Sequence, residues 1–435
     1  MHENPPLSGV CQADAAVVGG GWTGLMTASF LASQGWKVVV LTHGDSQGSL
    51  PRLAVQSFAP ASFRRILACH GMTTLEKHVR RRERVLRRLP GWLLPRAEFR
   101  DVDFFGYARL PEWVATLNED VRLAQRLGQL SRISADAGGC PFPVEQSAWT
   151  RGLLIDSASL SHALRRTIRQ AGGRICGASP ALNITPSQVF TADGRVDAGR
   201  VLLCTGKPPG LRSRRLLALL ETRTLLSCRL SSPTPLHSVH SAVPDGLSLL
   251  PLPAGALALW DAGRIGTREA NRQAARMQRT LRQLMPDWTT EAIHARPFVR
   301  SLDGLPMVGS LRSPWGQLLF ASGAEDFTDA VIAAQALARL ALARPHADDL
   351  LLRPDRNLPR RFLRSAIVQM RRMRAYNLMQ SAPRCSHCRC RLRWQDTPRW
   401  WGCPGCGSAF TLLGQRLCTP SLTDARISPA QRPRW

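Results

Sequence analysis

Five cysteines and one histidine lie close together near the end of the chain, and all six side chains are of types that bind metals. Four of the cysteines form the pairs Cys385-x2-Cys388 and Cys403-x2-Cys406, with fourteen residues between the pairs. Two pairs at this spacing are typical of a site in which four thiolates hold one tetrahedral zinc or iron ion. The sequence therefore predicts a four-cysteine metal site and leaves Cys390 as a spare thiol.

The same segment also resembles a Rieske [2Fe–2S] site, which is built from a Cys-x-His half and a Cys-Pro-x-His-Gly-Ser half. Residues 385–387 match the first half, and residues 403–408 match the second except that position 406 is cysteine. The resemblance implies two ligands for each of two irons, namely Cys385 with Cys403 and His387 with Cys406. A cluster with three cysteines would be more negative than a Rieske centre and would have a lower potential.

The sequence thus leaves two metal centres open, a four-cysteine zinc or iron site and a Rieske-like cluster. The difference between them reduces to whether Cys388 or His387 supplies the fourth ligand. A [2Fe–2S] cluster would pass single electrons to an acceptor, whereas zinc would stabilise the fold of the module or form a docking surface.

A glycine-rich turn lies near the start of the chain between two apolar runs. Residues 15–18 and 38–41 are apolar, and the turn between them is followed by a helical pattern. This order of strand, turn, helix and strand is that of a dinucleotide-binding unit, in which a pyrophosphate lies at the helix N-terminus. The residues expected to contact the cofactor here are Gly19, Gly21, Trp22, Thr23 and Gly24.

The second apolar run ends at Thr42, where dinucleotide-binding units usually have an acidic residue that accepts hydrogen bonds from the ribose. Thr42 can also bind a ribose hydroxyl, but more weakly than a carboxylate does. Asp45 is close enough in sequence to substitute for it. The sequence therefore predicts cofactor binding with Thr42 at the ribose, without fixing how tight that binding is.

Three later segments resemble flavoproteins of the D-amino-acid oxidase and glycine oxidase family. Residues 152–164 begin Gly-Leu-Leu-Ile-Asp, residues 201–206 end in Cys-Thr-Gly, and residues 296–323 contain Arg-Pro, Asp-Gly-Leu-Pro-Met-Val-Gly and Ala-Ser-Gly. The resemblance implies an α/β fold with a Rossmann-type FAD-binding domain interleaved with a mixed-sheet substrate domain. It also implies FAD as the cofactor and oxidation of a carbon–nitrogen bond of a small amine or amino acid by hydride transfer to the flavin.

The resemblance also implies roles for individual residues. Gly206, Gly304 and Gly323 would let the backbone approach the flavin closely. Arg296 occupies the position at which glycine-oxidase-like enzymes hold the substrate carboxylate through two parallel hydrogen bonds. Arg300 is near enough in sequence to compete for this role.

Three acidic residues, Glu325, Asp326 and Asp329, follow Gly323 where the family usually has a histidine and another glycine. We expect them to cap the helix that begins near Ala330, because aspartate is favoured at helix N-termini. Attraction of a cationic amine is the alternative.

At 435 residues the chain is long enough for a large domain with a small addition. We expect an oxidoreductase at 1–350, a basic amphipathic connector at 351–380 and a cysteine-rich metal module at 381–425. Within the oxidoreductase, the expected FAD-binding parts are about 12–95, 150–215 and 296–345, and the expected substrate-domain parts are about 96–149 and 216–295.

The net charge of +27 comes almost entirely from arginine, with lysine only at positions 37, 77 and 207. Such a charge is compatible with nucleic acid or an anionic membrane surface as a partner. We favour instead a solvated basic helix over residues 360–374. The scattered thiols, the lack of a recognisable signal peptide and the lack of a long apolar run predict a cytoplasmic location.

Two other functions remain open at this level. One is a binding protein that keeps the flavoprotein fold but has lost tight FAD, with a structural zinc ribbon. The other is a flavoenzyme that modifies tRNA, which would use the positive charge.

Overall fold

The computed structural model describes residues 4–43, 50–56, 59–93, 98–207, 219–243, 246–264, 267–313, 316–356, 383–395, 400–403, 406–411, 415–418 and 424–426. The helices in these residues are α1 (Trp22–Ser33), α2 (Pro60–Leu93), α3 (Val114–Arg126), α4 (Ser157–Gln170), α5 (Thr267–Leu284) and α6 (Phe327–Ala341). Short 3-10 helices span Pro111–Trp113 and Ala347–Leu352.

The strands fall into three separate sheets. In chain order they are β1 (Gly9–Val18), β2 (Val38–Leu41), β3 (Arg52–Gln56), β4 (Phe99–Ala108), β5 (Ser131–Ser134), β6 (Gln146–Asp156), β7 (Arg174–Cys176), β8 (Asn183–Ile184), β9 (Gln188–Phe190), β10 (Gly194–Leu203), β11 (Leu220–Ser231), β12 (Val239–Ala242), β13 (Leu247–Leu252), β14 (Gly255–Arg264), β15 (Thr289–Thr290), β16 (His294–Ser301), β17 (Met307–Ser313), β18 (Gly316–Ser322), β19 (Arg393–Gln395), β20 (Trp400–Gly402), β21 (Ala409–Phe410) and β22 (Arg416–Cys418).

The first sheet has the order β17-β18-β10-β1-β2-β7, and the β8–β9 hairpin pairs with β10. Strands β1, β2, β7, β10 and β18 are parallel. All four residues of β2 are buried, as expected for a parallel strand that is covered on both faces. On one face, Leu25 of α1, Leu164 of α4 and Leu337 of α6 share a core with Val17 of β1. This confirms the strand, turn, helix and strand order expected near the start of the chain.

The second sheet has the order β15-β11-β14-β13-β12-β4-β6-β3, with β16 also on β11 and β5 also on β6. Its strands are antiparallel except for the β12–β4 pair. One face is covered by α5, whose Met277 and Leu281 pack with Leu226 and Cys228 of β11. Since the chain passes between the two sheets more than once, the expected α/β fold with interleaved domains is confirmed.

The third sheet, β19-β20-β21-β22, belongs to the cysteine-rich module and lies against the first sheet. Trp401 and Phe410 of the module share one buried cluster with Leu203 of β10 and Phe320 of β18. These contacts are on the face of the first sheet opposite α1, α4 and α6. The module is therefore packed on the first sheet.

Residues 357–380, most of the expected basic connector at 351–380, lie outside the described residues. Arg356, just before this undescribed segment, is bound to Asp303, with N–O distances of 2.6 and 2.8 Å. This pair keeps the chain in contact with the loop before β17 up to residue 356. Among the described helices, none is long and apolar enough to cross a membrane.

Candidate active site and metal centre

The turn after β1 leaves the N-terminus of α1 open. Gly21 precedes the helix, no side chain caps it, and its first turn contains no acidic residue. A Cβ atom added to Gly21 would meet nothing within 4 Å. The free N–H groups at this helix end are therefore accessible to an anion such as a pyrophosphate.

Two other glycines of the turn are required by packing. A Cβ on Gly24 would lie 1.9 Å from the carbonyl oxygen of Gly19. A Cβ on Gly19, whose φ angle is +118°, would lie 2.4 Å from the carbonyl oxygen of Cys204. Larger residues at either position would push the helix or β10 away from the turn, so the cradle fits a close-bound dinucleotide such as FAD.

Thr42 lies directly beside this turn, as expected for the residue at the ribose. It is buried, and a Cβ on Gly20 would lie 2.4 Å from its Cγ2 atom. Its backbone N–H donates to the carbonyl of Cys176 at 3.0 Å, and its own carbonyl accepts from Ser179 at 2.7 Å. Thr42 is thereby fixed between the turn and the end of β7.

The next two turn residues begin α1. The ring of Trp22 packs edge-on against Phe327 of α6, with centroids 5.7 Å apart. The carbonyl of Thr23 accepts a hydrogen bond from the Thr27 hydroxyl at 2.7 Å. The Trp22–Phe327 contact joins α1 to α6.

Gly206 and Gly323 both follow strands of the first sheet and are joined to each other. Both have positive φ angles, +78° and +74°, which favour glycine. The hydroxyl of Ser322 donates to the Gly206 carbonyl. The two loops expected to approach the flavin therefore meet at the carboxyl end of the sheet.

Gly304 has a different environment from these two glycines. A Cβ at this position would lie 2.6 Å from the carbonyl oxygen of Ser62 in α2. The preceding Asp303 is buried and is bound by Arg356 and by His70 at 2.9 Å. Burial opposes ionisation of Asp303, but these two partners hold its pKa below the usual range. This segment packs the chain onto α2.

Asp326, one of the three acidic residues after Gly323, caps α6, although the helix begins at Phe327 rather than near Ala330 as expected from the sequence. The Asp326 carboxylate accepts from the Asp329 N–H at 2.9 Å. The guanidinium of Arg82 lies 2.6 Å from the Asp326 carboxylate and 2.8 Å from the Asp329 carboxylate. The Arg82 side chain is fully buried. Arg82 belongs to an arginine-rich stretch of α2 at residues 80–88, here called the basic run, so part of this run is internal structure.

A row of alternating charges runs from α2 across β16 and β11 to β14. Its members, in spatial order, are Arg65, Glu325, Arg300, Glu221, Arg223 and Asp261. Arg300 lies 2.8 Å from Glu221, and Arg223 lies 2.8 Å from Asp261. Burial raises the pKa of Glu325 to about 7 despite its arginine neighbours.

Arg296 lies on the same face of the second sheet as this row. The register of β16 on β11 pairs Arg300 with Glu221 and Arg296 with Leu225, and directly opposite residues point to one face. Arg296 is half-buried, and this partial burial lowers its pKa. Among the described residues no carboxylate pairs with it, whereas Arg300 is already neutralised by Glu221.

Four cysteines of the module come together. The sulfur atoms of Cys385, Cys388, Cys403 and Cys406 all lie within 4.8 Å of one another. Two of the distances between the pairs are 3.3 and 3.6 Å. Zinc–sulfur bonds of about 2.3 Å in a tetrahedron place sulfurs about 3.8 Å apart, so this group could hold one metal ion with little adjustment.

His387 lies next to this group but is not one of the four. Both of its ring nitrogens are shielded from solvent. Cys390 is also buried outside the group, and its carbonyl accepts from the N–H of Cys385 at 2.7 Å. The structure therefore brings Cys388, rather than His387, together with the three other predicted ligands.

Lys207 was not recognised from the sequence, yet it is buried and directly follows Gly206. Only 3 % of its surface is exposed. Burial lowers the pKa of its ammonium group, while Cys406, Cys403, Cys388 and Glu221 act in the opposite direction. The sequence feature that could have drawn attention to Lys207 is the rarity of lysine, which occurs at only three positions in this arginine-rich chain.

The parallel sheet with its open glycine turn, combined with a separate mixed sheet, defines a two-domain dinucleotide-binding protein. Residues 14–340 match the family described as FAD dependent oxidoreductase, DAO. The chain belongs to this family and is an FAD-dependent oxidoreductase. The family resemblance recognised from the sequence is thus confirmed.

Several solved structures share this fold at low sequence identity. Glycine oxidase from Geobacillus kaustophilus superposes with a TM-score of 0.63 at 16% identity, covering 80% of this chain and 100% of that one. For L-amino acid deaminase from Proteus myxofaciens the TM-score is 0.60 at 15% identity, covering 81% and 95%. For L-proline dehydrogenase from P. horikoshii it is 0.60 at 16% identity, covering 80% and 97%. No curated protein sequence matches the chain.

Proposed function

We propose that the protein oxidises the carbon–nitrogen bond of a small amine or amino acid. The observation that carries this proposal is the position of Arg296, which lies on a charged sheet face but has no carboxylate partner among the described residues. A half-buried, unpaired guanidinium is suited to a substrate carboxylate, which it can bind through two hydrogen bonds. The similar structures named as glycine oxidase, L-amino acid deaminase and L-proline dehydrogenase also support an amino-acid substrate.

FAD, when bound, would accept a hydride from the carbon that carries the nitrogen. The residues that would hold its pyrophosphate are at the open N-terminus of α1, next to Gly21. Thr42 would contact the ribose, and the joined loops at Gly206 and Gly323 would allow the flavin ring to approach the backbone.

Charged groups of the sheet face would fix the orientation of the substrate. Arg296 would bind its carboxylate, and Glu325, whose pKa of about 7 allows either charge state near neutral pH, would contribute to the potential of this face from its ion pair with Arg65. Arg300 and Arg223 are bound to Glu221 and Asp261 and would shape the surrounding potential rather than bind the substrate.

We infer further that the four cysteines hold a single ion, and that this ion is zinc. The short distances between all four sulfurs support one ion, since a two-iron cluster needs its ligand pairs on opposite sides of two metals and two sulfides. A closed site with four protein ligands leaves no open position for catalysis, so its role would be structural.

Anaerobic substrate screening tests the proposed activity. The protein is saturated with FAD and mixed in turn with L- and D-amino acids, glycine, proline, N-methylated amino acids and amines that lack a carboxylate. We expect bleaching of the flavin by at least one amino acid, with an imine or its hydrolysis products formed in equal amount. Failure of every amine and amino acid to bleach a flavin that dithionite does bleach would contradict C–N oxidation.

Metal analysis of the same preparation tests the second proposal. We expect about one zinc per chain and no iron. A visible and EPR spectrum of a [2Fe–2S] cluster after reduction would contradict the single-ion site and restore the electron-relay interpretation.

A further inference from the structure

The outer face of α5 carries a row of exposed arginines. The inner face of this helix is fixed on the second sheet, where Met277 and Leu281 are buried against β11. Residues three or four positions apart are neighbours on a helix surface. Four exposed arginines follow this spacing on the side away from the sheet, and they are Arg272, Arg276, Arg279 and Arg282.

The charge of this arginine face is not neutralised by acidic side chains. Residues 271–284 contain no aspartate or glutamate. In the part of the chain that the structure describes, none of the four arginines pairs with a carboxylate. The arginines of α2 differ, because Arg81 binds Asp349 at 2.7 Å and Arg84 binds Asp348 at 2.8 Å. A high arginine content alone therefore does not explain the arginine face of α5.

The helix presents these groups from a rigid support. The guanidinium of Arg276 lies over the ring of Trp260 in β14, 5.7 Å from its centroid, and Trp260 itself is buried. Such a cation–π contact holds the charge in place at the surface. Groups that are already held in position lose less entropy when they bind a ligand.

The spacing of the arginines fits a row of phosphates. From Arg272 to Arg282 they follow one another at intervals of four, three and three residues, which correspond to a total rise of about 15 Å along the helix. One strand of B-DNA carries a charge about every 3.4 Å, so this length matches about four phosphates. The planar guanidinium also forms paired hydrogen bonds with phosphate oxygens.

A membrane surface fits this helix less well. Amphipathic helices bind membranes by inserting their apolar face between the lipids, in addition to their charge. The apolar face of α5 is occupied, because Met277 and Leu281 share a buried cluster with Leu226 and Cys228 of β11. Only the charged face is accessible, which favours a polyanion over a lipid bilayer.

We propose that the arginine face of α5 binds the phosphate backbone of a nucleic acid. Phosphate contacts carry no sequence information, so this surface binds DNA or RNA without reading bases. It is also separate from the candidate substrate site. Arg296 pairs with Leu225, and successive residues of a strand point to opposite faces, so Arg296 and the α5-covered Leu226 lie on opposite sides of the sheet. The inference therefore does not depend on the proposed oxidation.

Salt-dependent binding tests the proposal. The full-length protein is titrated into a fluorescein-labelled duplex DNA and into a duplex RNA of the same sequence, and anisotropy is measured at several NaCl concentrations. For the DNA, we expect the logarithm of the binding constant to fall linearly with the logarithm of salt concentration, with a slope of about −3.6 for four phosphate contacts. The tighter-binding duplex identifies the type of nucleic acid. Binding to neither duplex at low salt, or binding only to vesicles of anionic phospholipid, would overturn the proposal.

A pair of double variants separates the arginine face from the overall net charge of +27. Arg272→Gln with Arg279→Gln removes two charges from α5 and leaves the contact of Arg276 with Trp260 intact. Arg122→Gln with Arg126→Gln is the matched control, since it removes two exposed arginines from another helix, α3.

We expect the α5 double variant to reduce the size of the salt slope on duplex DNA by about 1.8, and the α3 double variant to leave the slope unchanged. Equal reductions in both variants would show that the attraction is diffuse and would overturn the assigned surface. An unchanged Tm of each variant shows that the fold is intact. If the α5 double variant does not fold, Arg279→Gln alone should reduce the slope by about 0.9, and a wild-type slope in this single variant would overturn the proposal.

Discussion

The sulfur atoms of Cys388 and Cys403 lie 3.3 Å apart, although fourteen residues separate them in the chain. Cys385 and Cys406 approach each other to 3.6 Å in the same way. Each contact joins one cysteine of the first pair to one of the second, so both turns present their sulfurs to one point. This arrangement favours Cys388 over His387 as the fourth ligand.

Cys388→Ser should therefore lose the metal. Removing one of four thiolates opens the site and weakens zinc binding, so metal content should fall from about one ion per chain to a small fraction of that. Cys390→Ser is the matched control, because this neighbouring cysteine is buried but lies outside the group of four. Full metal content in Cys388→Ser, together with loss in His387→Ala, would instead support the Rieske-like arrangement.

Alanine substitutions in the glycine turn should separate folding from cofactor binding. Gly24→Ala would place a methyl group 1.9 Å from the Gly19 carbonyl and should destabilise the fold by about 1–3 kcal/mol. Gly21→Ala meets no protein atom and should keep wild-type stability while weakening FAD binding. Urea denaturation and FAD titration of both variants measure the difference, and normal FAD affinity in Gly21→Ala would contradict the assigned pyrophosphate site.

The two neighbouring arginines of β16 should respond differently to replacement by methionine. Arg296→Met should raise KM for an amino-acid substrate by about 10- to 100-fold, the range for one charged hydrogen-bonding interaction. Arg300→Met leaves the buried Glu221 with one arginine fewer and should mainly cost stability, up to about 3 kcal/mol. Unchanged KM in Arg296→Met would show that the carboxylate binds elsewhere.

Arg82 should be among the most sensitive residues of the basic run. Arg82→Met leaves Asp326 and the fully buried Asp329 without their guanidinium partner, with an expected loss of about 3–5 kcal/mol. Arg88→Met, at an exposed position of the same helix, should change stability by no more than about 0.5 kcal/mol. If urea denaturation gave the same change in the free energy of unfolding for Arg82→Met and Arg88→Met, the structural role of Arg82 would be contradicted.

Glu325 should make stability depend on pH near neutrality. Its folded-state pKa of about 7 lies above the ordinary value of 4.5, so the folded chain retains a proton that the unfolded chain releases. The contribution of Glu325 to the free energy of unfolding is fully present below pH 4.5 and is lost as the pH rises towards 7. The Tm of Glu325→Gln should therefore rise relative to wild type between about pH 5 and 7.

Local features of this chain were predictable from the sequence, and long-range partners were not. The turn at residues 19–24 and the helix cap at Asp326 depend on neighbouring residues, so spacing alone identified them. The internal ion pairs of Arg82 could not be predicted from the sequence, because its partners are 244 and 247 residues away. The choice of Cys388 depends on how two distant turns face each other, and the environment of Lys207 depends on the docking of the module.

Flavin content is the measurement that tests the central claim most directly. The protein is purified, denatured to release its cofactor, and the FAD is quantified against the amount of chain. The arrangement of Gly19, Gly21, Gly24 and Thr42 predicts about one FAD per chain and a yellow colour that dithionite bleaches. A colourless protein that also fails to bind added FAD while its zinc site is filled would contradict the account.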